Sequence, residues 1–89
     1  MSPDLKQFEL DRITNMLKSF SWEVVTSRFE GDKILVQYQK DLKGSTADQK
    51  KFELDRIVNM LGSFGWATMG NQNFPDKVVV NFEKVLKTG

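Results

Sequence analysis

Phe8-Glu9-Leu10-Asp11-Arg12-Ile13 opens the stretch Phe8 to Trp22, and it is written a second time, 44 residues on, as Phe52-Glu53-Leu54-Asp55-Arg56-Ile57. Asn15-Met16-Leu17 returns as Asn59-Met60-Leu61, and Ser19-Phe20-x-Trp22 returns as Ser63-Phe64-x-Trp66. The match resumes at Asp32-Lys33 against Asp76-Lys77 and runs to Lys40 against Lys84. The chain therefore reads as one domain, 1–89, built from two copies of a single unit, the first over 1–43 and the second over 44–89.

Within the repeated stretch, Leu5, Ile13, Met16, Leu17 and Phe20 fall on one stripe at helical spacing, with Phe8 and Leu10 on its borders. Gln7, Asp11, Asn15 and Lys18 fall opposite. Ser2-Pro3-Asp4 supplies a cap, a residue suited to the first turn and a charge that complements the dipole, so a helix is expected from about 3 to 20. Its copy is capped by Ser45 or Thr46, of which Thr46 would make a capping box with Gln49, and ends near Ser63 between Gly62 and Gly65.

Each helix is followed by two extended segments. Val24, Val25, Thr26 and Phe29 favour a strand over Trp22 to Phe29, Glu30-Gly31-Asp32 turns, and Lys33 to Lys40 alternates with Ile34, Val36 and Tyr38 on one face. A two-residue loop at Gly31-Asp32 sets Phe29 against Ile34, Ser27 against Val36 and Val25 against Tyr38. After the linker Asp41-Leu42-Lys43-Gly44 and the second helix, Trp66 to Asn73 is a weaker strand. Phe74-Pro75-Asp76 turns, and Lys77 to Leu86 alternates again with Val78, Val80 and Phe82 inward.

The element order is αββαββ. The continuously apolar strands Ile34-Leu35-Val36 and Val78-Val79-Val80 belong in the centre of a sheet and the more polar ones at its edges. The expectation is an α+β fold: a four-stranded antiparallel sheet in the order β1-β2-β4-β3, with both helices on one face. It equals a ferredoxin-like sandwich permuted so that its first strand comes last.

Composition narrows function mainly by exclusion. Thirteen basic and twelve acidic residues leave a net charge of +1, which supplies little drive toward nucleic acid or an anionic membrane. The chain has no cysteine and no histidine, so disulfides, thiolate metal sites, the usual general base and the commonest metal ligand are lacking. Neither a signal-peptide run nor a membrane-length apolar segment is present, and a cytoplasmic, non-enzymatic protein without a cofactor or metal is expected.

Three features are candidates for a site. Trp22 and Trp66 share strand parity with the uncovered sheet face and would serve there as paired aromatic anchors. The alternative is that each ring folds under its own helix end, which a local bulge would allow. Glu9/Arg12 and Glu53/Arg56 are spaced to meet on their helices and would form a charged site where the helices approach, or merely local ion pairs near helix N-termini. The uncovered face itself offers Arg28, Gln37, Gln39, Lys40, Gln72 and Asn81 around Val24, Leu35 and Val79. An aliphatic centre with an amide border suits a protein contact, including self-association as a homodimer through Leu35 and Val79 or through the edge Glu23 to Phe29. A nucleic-acid reading would use Arg28, Lys33, Lys40, Lys77 and the tryptophans, but no ring stands on the central strands of that face, which counts against it. A small-ligand or regulatory site between the helices would rest on the two Glu/Arg pairs alone.

Overall fold

A computed structural model describes residues 3–86. Its elements are α1 (Pro3–Lys18), β1 (Glu23–Glu30), β2 (Lys33–Asp41), α2 (Ala47–Gly62), β3 (Ala67–Asn73) and β4 (Lys77–Val85). The strands form one antiparallel sheet in the order β1-β2-β4-β3. The proposed Ser2 cap lies outside the described residues. The second cap forms as the spacing requires: the Gln49 amide donates to Thr46 Oγ1 at 3.2 Å and the Thr46 amide to Gln49 Oε1 at 2.9 Å.

The central pair β2–β4 is in continuous register from Lys33↔Val85 to Asp41↔Lys77. Cross-strand partners share a face, so Ile34, Val36 and Tyr38 lie beside Lys84, Phe82 and Val80 on one side. The core forms there, where Leu10, Ile13 and Leu17 of α1 and Ile57 and Leu61 of α2 join these strand residues in one buried cluster. Both helices thus cover the same face. The buried arc of α1 centres on Leu10, Ile13 and Leu17, and Leu5 and Phe8 are exposed. The buried arc is therefore turned by part of a turn from the expected stripe, toward Leu10, and Glu9 beside it is tied to the sheet through Lys84.

Each helix ends in the same way. The Trp22 amide donates to the Leu17 carbonyl at 3.0 Å and the Ser21 amide to the Lys18 carbonyl at 3.0 Å, the two bonds of a Schellman motif. Trp66 to Leu61 and Gly65 to Gly62 repeat them at 3.0 and 3.1 Å. The motif needs a left-handed residue, supplied by Gly65 (φ 87°) and, 44 residues earlier, by Ser21 (φ 71°). Ser21 pays for its Cβ there, at a cost of about 1 kcal/mol that glycine avoids.

The feature that most alters the sequence expectation is a pair of β-bulges. Val24 pairs with Tyr38 but Thr26 pairs with Gln37, leaving Val25 extra, and Thr68 pairs with Phe82 but Gly70 with Asn81, leaving Met69 extra. Phe29↔Ile34 and Ser27↔Val36 follow the expected register; Val25 against Tyr38 does not, because Val24 takes that place. One extra residue reverses the facing of everything before it. Trp22 and Trp66 are thereby turned from the open face to the helix face.

Candidate functional site

The tryptophans are core residues. Trp22 is 2% exposed and Trp66 4%, both within the buried cluster, so neither is an anchor on the open face. The Schellman turns deliver each ring beneath its own helix end, and the bulges complete the reversal. Among the described residues, Trp66 Nε1 is the one buried side-chain donor without a partner.

Of the two Glu/Arg pairs, Glu9/Arg12 forms locally on its helix and Glu53/Arg56 does not, and both glutamates bind a lysine of the sheet. Glu9 Oε1 accepts from Lys84 Nζ at 2.9 Å, and Glu53 Oε1 from Lys40 Nζ at 2.7 Å. Arg12 lies 3.6 Å from Glu9 and over the Phe64 ring at 4.8 Å. Arg56 stacks on Phe20 at 4.0 Å, and Glu53 is paired to Lys40 rather than to Arg56. Lys84 donates further to the Phe64 carbonyl at 2.7 Å. Each helix is thus tied to the central strand of the opposite half, and its arginine packs on the ring at the other helix's end. The Glu9, Lys84, Glu53 and Lys40 side chains are largely buried, and each carboxylate already has its cation. Two separate, internally neutralised ties replace the single charged site between helices. Removing one partner would strand the other in a dry environment, so these groups hold the fold together and offer no open valence to a ligand.

Lys40, expected on the open face, is on the helix side because its register partner is Val78. Val24 shares the face of Tyr38, its partner, and also leaves the open face. Leu35, Gln37, Gln39, Val79, Asn81 and Arg28 remain there by register. Val79 is nevertheless only 6% exposed, set between Gln39 and Gln72 in register, and Leu35 is half-buried. The aliphatic centre is therefore largely covered before any partner arrives. The polar groups are paired as well: Gln37 Nε2 donates to Asn81 Oδ1 at 2.9 Å, Gln39 Nε2 reaches Glu23 at 3.5 Å, and Arg28 meets Glu30 at 2.9 Å. An open hollow of about 310 Å³ lies over this face, lined by Thr26, Arg28, Leu35, Gln37, Met69 and Asn81 among others. With its amides satisfied and no ring on the central strands, the face lacks the stacking platform that a single-stranded nucleic acid requires. Burial of both tryptophans and of Lys40 removes half of the set on which that reading depended.

The edge strand β1 is different. All eight of its residues are exposed, although it sits beside α1. Val24, Val25 (47%) and Phe29 (41%) present apolar surface along it. The opposite edge, β3, ends in Gly70-Asn71-Gln72-Asn73. The sequence had marked the edge from Glu23 to Phe29, but the apolar weight of Val25 depends on the bulge.

Among the described residues no group of three or more acidic side chains is arranged to hold a metal ion, and no helix is long and apolar enough to cross a membrane. The chain matches no protein-family model, no curated protein and no solved structure.

Proposed function

We propose that this protein is a non-enzymatic interaction module that binds an extended segment of another chain along β1. The carrying observation is that strand: eight exposed residues at a sheet edge, with Val24, Val25 and Phe29 outward and neither lysine nor proline among them. A sheet edge leaves backbone groups free to recruit a further strand, with backbone hydrogen bonds for affinity and alternate side chains for selectivity. Sheet-to-sheet packing through Leu35 and Val79 is the weaker route, because Val79 is already covered.

The architecture behind this edge is, on the same reading, a tandem duplication with permuted ferredoxin-like topology. Equivalent details 44 residues apart support it: the bulges at Val25 and Met69, the Schellman turns at Ser21 and Gly65, and the crossed ties from Glu9 and Glu53. Lys6 and Lys50 add another pair, donating to the turn carbonyls of Gly31 and Pro75 respectively. The two halves then share a scaffold and differ at their edges, and only the first edge retains an apolar strip.

Selection of displayed octapeptides against the immobilised protein tests the reading. A two-residue turn closes on a hydrogen-bonded pair, here Glu30↔Lys33, so Arg28 and Thr26 bond inward to β2 while Ser27 and Phe29 turn their amides outward. Proline at position 27 thus removes an outward donor and leaves the β2 ladder intact. Peptides with alternating apolar residues are expected to bind the protein and to lose binding to a Ser27→Pro variant that still folds. Failure to enrich any such peptide, or equal binding to the variant, would contradict the proposal.

A further inference from the structure

We infer that the strand β1 receives is β1 of a second copy of this chain, in an antiparallel register centred on Ser27. The inference rests on the reading of β1 as the contact edge and adds the identity of the partner.

It follows from the order of residues along the strand. Val24 and Phe29 are exposed apolar side chains of β1, and each shares the helix-side face with its register partner, Tyr38 and Ile34. With the two residues of the bulge counted against one, an antiparallel copy centred on Ser27 sets each Val24 against Phe29 of the other copy, twice, on that face. The outward amides agree with the same register. Ser27 and Phe29 both direct N–H and C=O away from β2, so in this register Ser27 meets its copy as a hydrogen-bonded pair.

Charge adds a third constraint. β1 carries Glu23, Arg28 and Glu30. In the register centred on Ser27, Arg28 falls opposite Thr26, so the two arginines do not meet. Past the bulge Glu23 comes opposite Glu30, whose charge is offset by its own Arg28 at 2.9 Å. Moving the centre to Arg28 would set arginine on arginine. The opposite edge, with Gly70 and three consecutive amide side chains, has no comparable apolar pair. Association through β1 gives a continuous eight-stranded sheet.

The test uses the whole chain. Its lack of cysteine makes Ser27→Cys the sole thiol, and in this register the two sulfur-bearing residues face each other with Cα atoms about 5.5 Å apart, within disulfide reach. Sedimentation equilibrium of the unmodified chain is expected to show a mass that doubles with concentration. Ser27→Cys is expected to form a covalent dimer under mild oxidation, much faster than Phe29→Cys or Asn71→Cys. Val24→Lys, at an exposed site, is expected to keep its melting temperature and stay monomeric. A monomeric mass up to millimolar concentration would overturn the inference, as would cross-linking that favours Phe29→Cys or Asn71→Cys. If the chain stays monomeric but selected octapeptides bind in a Ser27→Pro-sensitive way, the partner identity fails and the edge-binding reading survives.

Discussion

Trp22→Ala is expected to cost about 3–5 kcal/mol, the range for truncating a buried large aromatic. A chain of this length has a total stability of roughly 5–13 kcal/mol, so the variant is expected to be substantially less stable and in part unfolded. The ring is 2% exposed and packs in the cluster that joins both helices to the sheet. It also directly follows the left-handed residue that ends α1, so its removal loosens the helix end along with the core. The two tryptophans should separate on conservative replacement. Trp66 Nε1 is buried without an acceptor, and replacing that residue by phenylalanine removes an uncompensated donor as well as some packing. Trp66→Phe is therefore expected to be milder than Trp22→Phe by about 1 kcal/mol. Urea midpoints at constant slope would measure both differences. A loss below about 1 kcal/mol for Trp22→Ala, with red-shifted emission from the parent, would place the rings in water and contradict the bulged register.

The second large effect appears at high pH and comes from Tyr38, the only tyrosine in the sequence. Burial pushes its hydroxyl from an ordinary value of 10.0 up to about 12; the hydrogen bond with Thr14, at 2.8 Å, lowers it in part, and the nearby Asp11 charge raises it. Between those two values the folded state holds a proton that the unfolded state has released. Stability conferred by the neutral phenol is therefore complete below about pH 10 and is lost as pH rises toward 12. Two units correspond to about 3 kcal/mol. A tyrosinate absorbance titration is expected to lag well beyond the ordinary midpoint and to coincide with loss of structure. Tyr38→Phe should cost about 1 kcal/mol at neutral pH, through the lost bond to Thr14, and should lack this alkaline component. A midpoint near 10 with the fold intact would contradict the burial of this side chain.

Much of the scaffold was legible because it depends on local signals. Helical spacing, the Thr46–Gln49 box, the Gly31-Asp32 turn and the apolar runs Ile34–Val36 and Val78–Val80 lead to two helices and a β1-β2-β4-β3 sheet, as observed. Facing in the edge strands was not legible. A bulge adds one residue without a fixed sequence sign; Gly70 hints at one in β3, but its counterpart Thr26 gives no hint in β1. That single residue moved Trp22, Trp66 and Val24 off the open face. Lys40 was misplaced for a different reason, since the parity of β2 already put it with Tyr38 and Ile34. The local Glu9–Arg12 pair was legible from its spacing, whereas Lys84 arriving at Glu9 from 75 residues away was not. Val79 was correctly faced, yet strand parity alone does not show that it is only 6% exposed on that face.

The central claim is that the outward backbone of β1 is the contact surface, and residue-resolved amide hydrogen exchange tests it most directly. At low concentration Ser27 and Phe29 should exchange quickly while Thr26 and Arg28, bonded inward to β2, exchange slowly. At high protein concentration, or with a selected octapeptide bound, the Ser27 and Phe29 amides should become as protected as their neighbours. If those two amides stay fast under every condition while protection appears on β3 or the open face instead, the contact lies elsewhere and the account is wrong.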